Sequence, residues 1–216
     1  MSASDEPIGT GAAGYTGPMN AVPAVPAAPA AATLASLGLN PALLCAAHAQ
    51  GYLRPTAIQV QAVPAALTGR DVLACAPTGS GKTAAYAWAL LQALDRQRPA
   101  WRRTYALVLV PTRELAVQVG QVLHDLGAHL ADPIKVVAVF GGVSVNPQML
   151  RLRGGAEVVV ATPGRLLDLV ERNAVQLGDV QQLVLDEADR MLDEGFADEL
   201  SRIRALLPAL LQNRLF

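Results

Sequence analysis

Residues 71–83 read Asp71-Val72-Leu73-Ala74-Cys75-Ala76-Pro77-Thr78-Gly79-Ser80-Gly81-Lys82-Thr83. A short apolar run, a loop with two glycines, a lysine and a hydroxyl residue follow one another as a strand, an anion-binding turn and a helix start require. Glycine lets the backbone curl so that several N–H groups point into one concavity. The helix that follows brings its positive dipole end to the same place. Lys82 is then set to reach the β- and γ-phosphates of a nucleotide, and the Thr83 hydroxyl to complete a Mg²⁺ shell. A compact ammonium fits such a nest better than a planar guanidinium. The choice of residue carries weight, because Lys82 and Lys135 are the only lysines among 17 Lys plus Arg. The strict pattern has glycine where this chain has Ala76, and the plainer alternative is a Gly-Ser turn with a surface lysine.

Downstream, β-branched runs at 105–110, 134–140, 157–161 and 183–185 alternate with amphipathic stretches. The stretches at 82–94, 114–126, 147–152, 164–171 and 197–207 have helical spacing. Strand runs with little polar alternation, separated by helices, predict an α/β domain with a parallel sheet covered on both faces. Upstream, Asn40-Pro41 and Gly51 bracket a helix as N-cap, first residue and terminator. A second helix runs from Thr56 toward Gly69, with a bend or restart expected at Pro64. Residues 1–32 are Gly-, Ala- and Pro-rich, which predicts a disordered or polyproline-like tail, and leaves 33–216 as the folded domain. Asp5 and Glu6 near the start make that segment a poor signal peptide.

The chain has 216 residues and a formal net charge of -1, with 16% charged and 52% hydrophobic residues. That length suits one domain with a tail. No run of about 18 apolar residues free of proline is present, which excludes a membrane span. Two cysteines, Cys45 and Cys75, exclude a disulfide scaffold and lack metal spacing; they are expected as small buried hydrophobes in a reducing cytoplasm. Near-zero charge argues against holding nucleic acid by bulk positive potential. The abundance of Arg over Lys, and of Ala, hints at a GC-rich bacterial genome.

The last apolar run ends in Leu185-Asp186-Glu187-Ala188-Asp189. A carboxylate at the end of a buried strand facing the phosphate loop, here Asp186, can hold the Mg²⁺ that bridges β- and γ-phosphates. The adjacent Glu187 can orient and deprotonate an attacking water. Alone, such a tetrad more often marks a solvated helix start; paired with the loop, it points to nucleotide hydrolysis. Three further segments also follow predicted strands: Pro111-Thr112-Arg113-Glu114, Gly141-Gly142 and Thr162-Pro163-Gly164-Arg165. In a parallel sheet all these strand ends share one rim, where ligands of open α/β sheets bind. Their Arg, Thr and glycine N–H groups suit the phosphates of a second, extended ligand.

These blocks, together with Gly51-Tyr52-Leu53-Arg54-Pro55-Thr56-Ala57-Ile58-Gln59 and Met191-Leu192-Asp193-Glu194-Gly195-Phe196, closely resemble the N-terminal RecA-like domain of DEAD-box RNA helicases. The resemblance covers the chain from about Leu34 to its end. It implies a P-loop ATPase that couples ATP hydrolysis to RNA duplex unwinding, with residues 76–83 (Ala76, Pro77, Thr78, Gly79, Ser80, Gly81, Lys82, Thr83) on the phosphates. Glu187, Lys82 and Asp186 are the implied catalytic set, and Thr83 and Asp186 the implied metal holders. Gln59 is implied to read adenine N6 and N7, with Leu34 where the family has a base-stacking aromatic. Thr112, Arg113, Gly142, Thr162, Gly164 and Arg165 are the implied contacts to a single-stranded RNA backbone. Asp189 is the implied interdomain coupling residue.

The family has a strand ending in Ser-Ala-Thr beyond a segment like Gln212-Asn213-Arg214-Leu215-Phe216, and that motif is not in this sequence. The expectation is therefore a domain lacking its last strand, open between the phosphate-loop strand and the acidic-motif strand. The second RecA-like domain is likewise expected to be missing from the chain. Two alternatives remain at this level: a truncated, catalytically incompetent nucleotide- or RNA-binding fragment, and another kind of P-loop NTPase. The sequence leaves the RNA substrate and protein partners open.

Overall fold

The computed structural model describes residues 32–97 and 102–216. The stretch read as a tail thus lies outside the described residues, apart from Ala32. Six parallel strands form one sheet in the order β1-β6-β5-β2-β4-β3. They are β1 (Val72–Leu73), β2 (Ala106–Leu109), β3 (Val136–Val139), β4 (Val158–Ala161), β5 (Gln182–Leu185) and β6 (Gln212–Leu215). The helices are α1 (Pro41–Ala49), α2 (Ala57–Leu67), α3 (Lys82–Arg96), α4 (Arg113–Gly127), α5 (Asn146–Leu152), α6 (Pro163–Glu171), α7 (Ala188–Asp193) and α8 (Ala197–Leu206), preceded by a 3-10 turn at Leu34–Leu37.

Side chains alternate across the pleat, so each central strand feeds two cores. Ala106, Val108, Val158, Val160 and Val184 join α1–α4 on one face. Leu107, Leu109, Val159, Ala161 and Leu183 join α6, Met191 and α8 on the other. Burial on both faces explains why these strands read as unbroken apolar runs. Asn40 caps α1 by accepting from Leu43 N–H at 2.8 Å. The buried Gln92 amide of α3 then clamps this entry, accepting from Asn40 N–H at 2.6 Å and donating to the Gly38 carbonyl at 2.9 Å. Among the described residues no helix is long and apolar enough to cross a membrane.

Three expectations are corrected. The sheet is not open: β6 fills the place between β1 and β5 where a strand was expected to be missing. Residues 212–215 suffice because both flanks bond, with Ala74 N–H donating to Leu215 O and Phe216 N–H to Leu185 O, each at 2.9 Å. Side chains add to the ladder, as Asp71 Oδ1 accepts from Asn213 N–H at 2.7 Å and Gln212 Nε2 donates to the carbonyls of Ala66 and Arg70 at 2.9 and 2.6 Å. Second, α2 runs through Pro64 without a restart. Pro64 lies on the exposed side, while Ile58, Ala62, Val63 and Ala66 carry the buried face across it. Third, both cysteines are exposed. Cys75 follows the edge strand, where alternation buries Ala74 and turns Leu73 and Cys75 outward.

One residue of β6 works against its strand. Arg214 is fully buried, and its Nε and Nη1 have no partner among the described residues. Nη2 donates to Gln212 Oε1 at 2.8 Å. Burial pushes its pKa down to about 10, with Tyr105 and Asp71 opposing the shift, so it stays charged at neutral pH. Replacing a poorly paired buried charge with an apolar side chain of similar reach relieves desolvation. Arg214→Leu is expected to raise stability by about 1–4 kcal/mol, read as a higher urea midpoint. An unchanged or lower midpoint would mean that the guanidinium is better satisfied than its contacts indicate.

Candidate active site at the carboxyl edge of the sheet

All strands run in one direction, so the loops after β1, β2, β3, β4 and β5 emerge at one edge. The predicted rim is therefore formed. After β1 the chain enters the phosphate loop, in which Gly79 has φ +77° and Gly81, the N-cap of α3, has φ +92°. These left-handed positions turn successive N–H groups inward and need glycine. Ser80 Oγ is buried without a partner among the described residues. An orphaned hydroxyl inside a curled loop at a helix start is a donor suited to an anion oxygen such as that of a phosphate.

Gln59 is built into this loop from α2. Its Oε1 accepts from Thr56 N–H at 2.9 Å, and its Nε2 donates to the Gly81 carbonyl at 3.1 Å. It is 1% exposed. Leu34 is also buried, at 2% exposure, and belongs to the core rather than to a surface a base could stack on.

Across β6, Asp186 directly follows β5 and is buried. Burial pushes its carboxyl up from the ordinary value, while the Tyr86 hydrogen bond and the Lys82 ammonium pull the other way. Glu187 takes a left-handed backbone, φ 55° and ψ 49°, unusual for a residue with a side chain. Its N–H donates to the Phe216 carbonyl at 2.8 Å, so the end of β6 holds that conformation. The Glu187 carboxylate meets Arg190 Nη1 at 3.3 Å, an exposed pair of small energetic weight. Ala188 opens α7, so the tetrad is a strand end and a helix start at once. Asp189 is exposed and accepts from Arg190 N–H at 2.9 Å.

On the far half of the rim, Pro111, Arg113, Gly141, Thr162, Gly164 and Arg165 line a groove of about 480 Å³. Thr112 caps α4 by accepting from Leu115 N–H at 3.3 Å, and Thr162 is the N-cap residue of α6. The Arg113 guanidinium lies 5.1 Å above the Phe140 ring. Arg165 Nη2 donates to the Val143 carbonyl at 2.8 Å, and its Nη1 has no partner among the described residues. Gly142 has φ +76°, with open space where a side chain would project.

Two contributors were missed from sequence. Gln148 pins the Gly141-Gly142 turn, accepting from Phe140 N–H at 3.0 Å and donating to the Phe140 carbonyl at 3.1 Å. A single glutamine in a short helix gives no signal for that. Tyr86 donates to Asp186 Oδ2 at 2.8 Å. Its three-residue spacing from Thr83 on one helix face was the available clue.

The sequence model of DEAD/DEAH box helicases matches residues 56–215. The chain belongs to this family. Among curated relatives, it is 46% identical over 182 residues to ATP-dependent RNA helicase DeaD of Escherichia coli (strain K12), covering 84% of this chain and 28% of that protein. The same-named protein of Mycobacterium tuberculosis (strain ATCC 25618 / H37Rv) is 46% identical, covering 84% of this chain and 32% of the relative. DEAD-box ATP-dependent RNA helicase CshA of Streptococcus pneumoniae serotype 4 is 43% identical over 180 residues, covering 83% and 33%. The chain thus spans about a third or less of the length of these helicases. Its six parallel strands with helices on both faces are the RecA-like fold of the DEAD/DEAH box family.

The tightest steric demand in the site is at Gly81, where an added Cβ would lie 2.5 Å from Gln59 Nε2 at φ +92°. Gly81→Ala is expected to strain the loop, displace the Gln59 amide and cost about 1–3 kcal/mol in chemical unfolding. An unchanged urea midpoint would show that the loop accepts a side chain there.

Proposed function

We propose that residues 33–216 act as the RecA-like ATP-binding domain of an ATP-dependent RNA helicase that couples ATP hydrolysis to duplex unwinding. The observation that carries this reading is the joining of the phosphate loop and the acidic tetrad across β6, on the same edge as the arginine-lined groove. The relatives, ATP-dependent RNA helicases by name, agree with it. The catalytic cycle is proposed for the whole protein, and its nucleotide-facing half is assigned to this chain.

In this reading residues 76–83 cradle the phosphates, with backbone N–H groups and Ser80 donating to their oxygens and Lys82 balancing their charge. Thr83 and Asp186 hold Mg²⁺, which when bound neutralises charge on the β- and γ-phosphates. Glu187 orients the attacking water and takes its proton. Gln59 has one lone pair and one N–H left after its two backbone bonds, a donor–acceptor pair that matches adenine N6 and N7. Reading a base then requires an opening at a side chain that is now 1% exposed. Thr112, Arg113, Gly142, Thr162, Gly164 and Arg165 take the sugar-phosphate backbone of single-stranded RNA, which positions without reading sequence. Asp189, the exposed last residue of the tetrad, links the ATP site to the second RecA-like domain. The site of action is the bacterial cytoplasm, in keeping with two unpaired cysteines and bacterial relatives.

Glu187→Gln keeps the size of the side chain and removes the base. In the full-length protein it is expected to lower RNA-stimulated ATP turnover by about 10²–10⁴-fold while ATP binding persists. Full turnover in that variant would remove Glu187 from the chemistry.

A further inference from the structure

Asp186 has a buried partner outside both motifs that mark the site. Tyr86 lies in α3, one helical turn beyond Thr83, and is fully buried. Its phenol donates to Asp186 Oδ2 at 2.8 Å. The ring is held from the other side by Phe216, with centroids 5.2 Å apart and planes tilted by 56°.

A carboxylate turns freely about its last torsion unless something fixes its plane. We propose that Tyr86 is a positioning residue for the divalent cation, its hydroxyl fixing the plane of the Asp186 carboxylate as an oxygen ligand. The inference rests on the reading of this site as one that binds Mg²⁺ with ATP. It adds a residue that the motifs do not include. The phenol touches neither nucleotide nor water in this role; it acts through the Asp186 carboxylate. Hydrogen bonds that orient ligating carboxylates commonly contribute 10- to 100-fold to metal affinity, and about tenfold is assigned here.

The test uses the 216-residue chain, a fluorescent ATP analogue and Tyr86→Phe, which removes the hydroxyl and keeps the ring against Phe216. Nucleotide affinity is measured in EDTA and then across a Mg²⁺ titration. The expected result is an EDTA affinity equal to that of the wild type and a half-saturating Mg²⁺ concentration raised about tenfold. In the Asp186→Asn background, Tyr86→Phe is expected to add nothing further, because the hydroxyl acts through that carboxylate. This second comparison separates positioning from any change in stability. A Mg²⁺ midpoint that does not move, or one that moves equally in the Asp186→Asn background, overturns the proposal. A wild-type chain whose nucleotide binding gains nothing from Mg²⁺ overturns the reading beneath it as well, and the wild-type arm alone reveals that failure.

Discussion

The ladder that β6 makes with β1 on one side and β5 on the other is the constraint on which the site depends, because β1 has no other strand neighbour among the described residues. The phosphate loop hangs from β1 and the acidic tetrad from β5. Their spacing is set by two strand separations, each about 4.8 Å, and by nothing else in the sheet. The same strand end reaches into the chemistry, since the Phe216 carbonyl holds Glu187 in its left-handed conformation and the Phe216 ring backs Tyr86. Without β6 the two halves of the candidate ATP site would be joined only through helices and loops.

The rest of the site shows how a chain of net charge -1 can present an anion-binding edge. Charge is placed rather than accumulated. Lys82 stands at the start of α3, Arg113 lies on the Phe140 ring, and Arg165 is anchored on the Val143 carbonyl. The two arginines are held in place by these contacts, which would lower the entropy lost on binding an anion. Backbone N–H groups and a buried hydroxyl supply further donors at no cost in net charge.

The parts of the fold legible in sequence were those whose pattern had a single physical reading. Strands such as β2 and β4 are buried on both faces and so are continuously apolar. The Asn40 cap, the glycines of the phosphate loop and the strand-end positions of the rim motifs followed from turn and capping chemistry. The misses have physical causes too. Three of the four residues of β6 are Gln212, Asn213 and Arg214, so the strand has no apolar run and is recruited by its two neighbours and by Asp71. Pro64 could be read only as a local break, because the burial that carries α2 through it is a tertiary property. Tyr86 carries no motif of its own; only the fold brings it to an aspartate 100 residues away.

Hydrogen exchange at two amides, Ala74 and Glu187, tests the central claim most directly. Each donates to a β6-end carbonyl, Leu215 and Phe216 respectively, at 2.9 and 2.8 Å. If β6 joins the phosphate loop to the acidic tetrad, both exchange with the slow, globally protected amides of β2 and β4. Exchange at the rate of an open loop at these two positions, with β2 and β4 still protected, would mean that the sheet is unjoined beside β1 and would contradict the account.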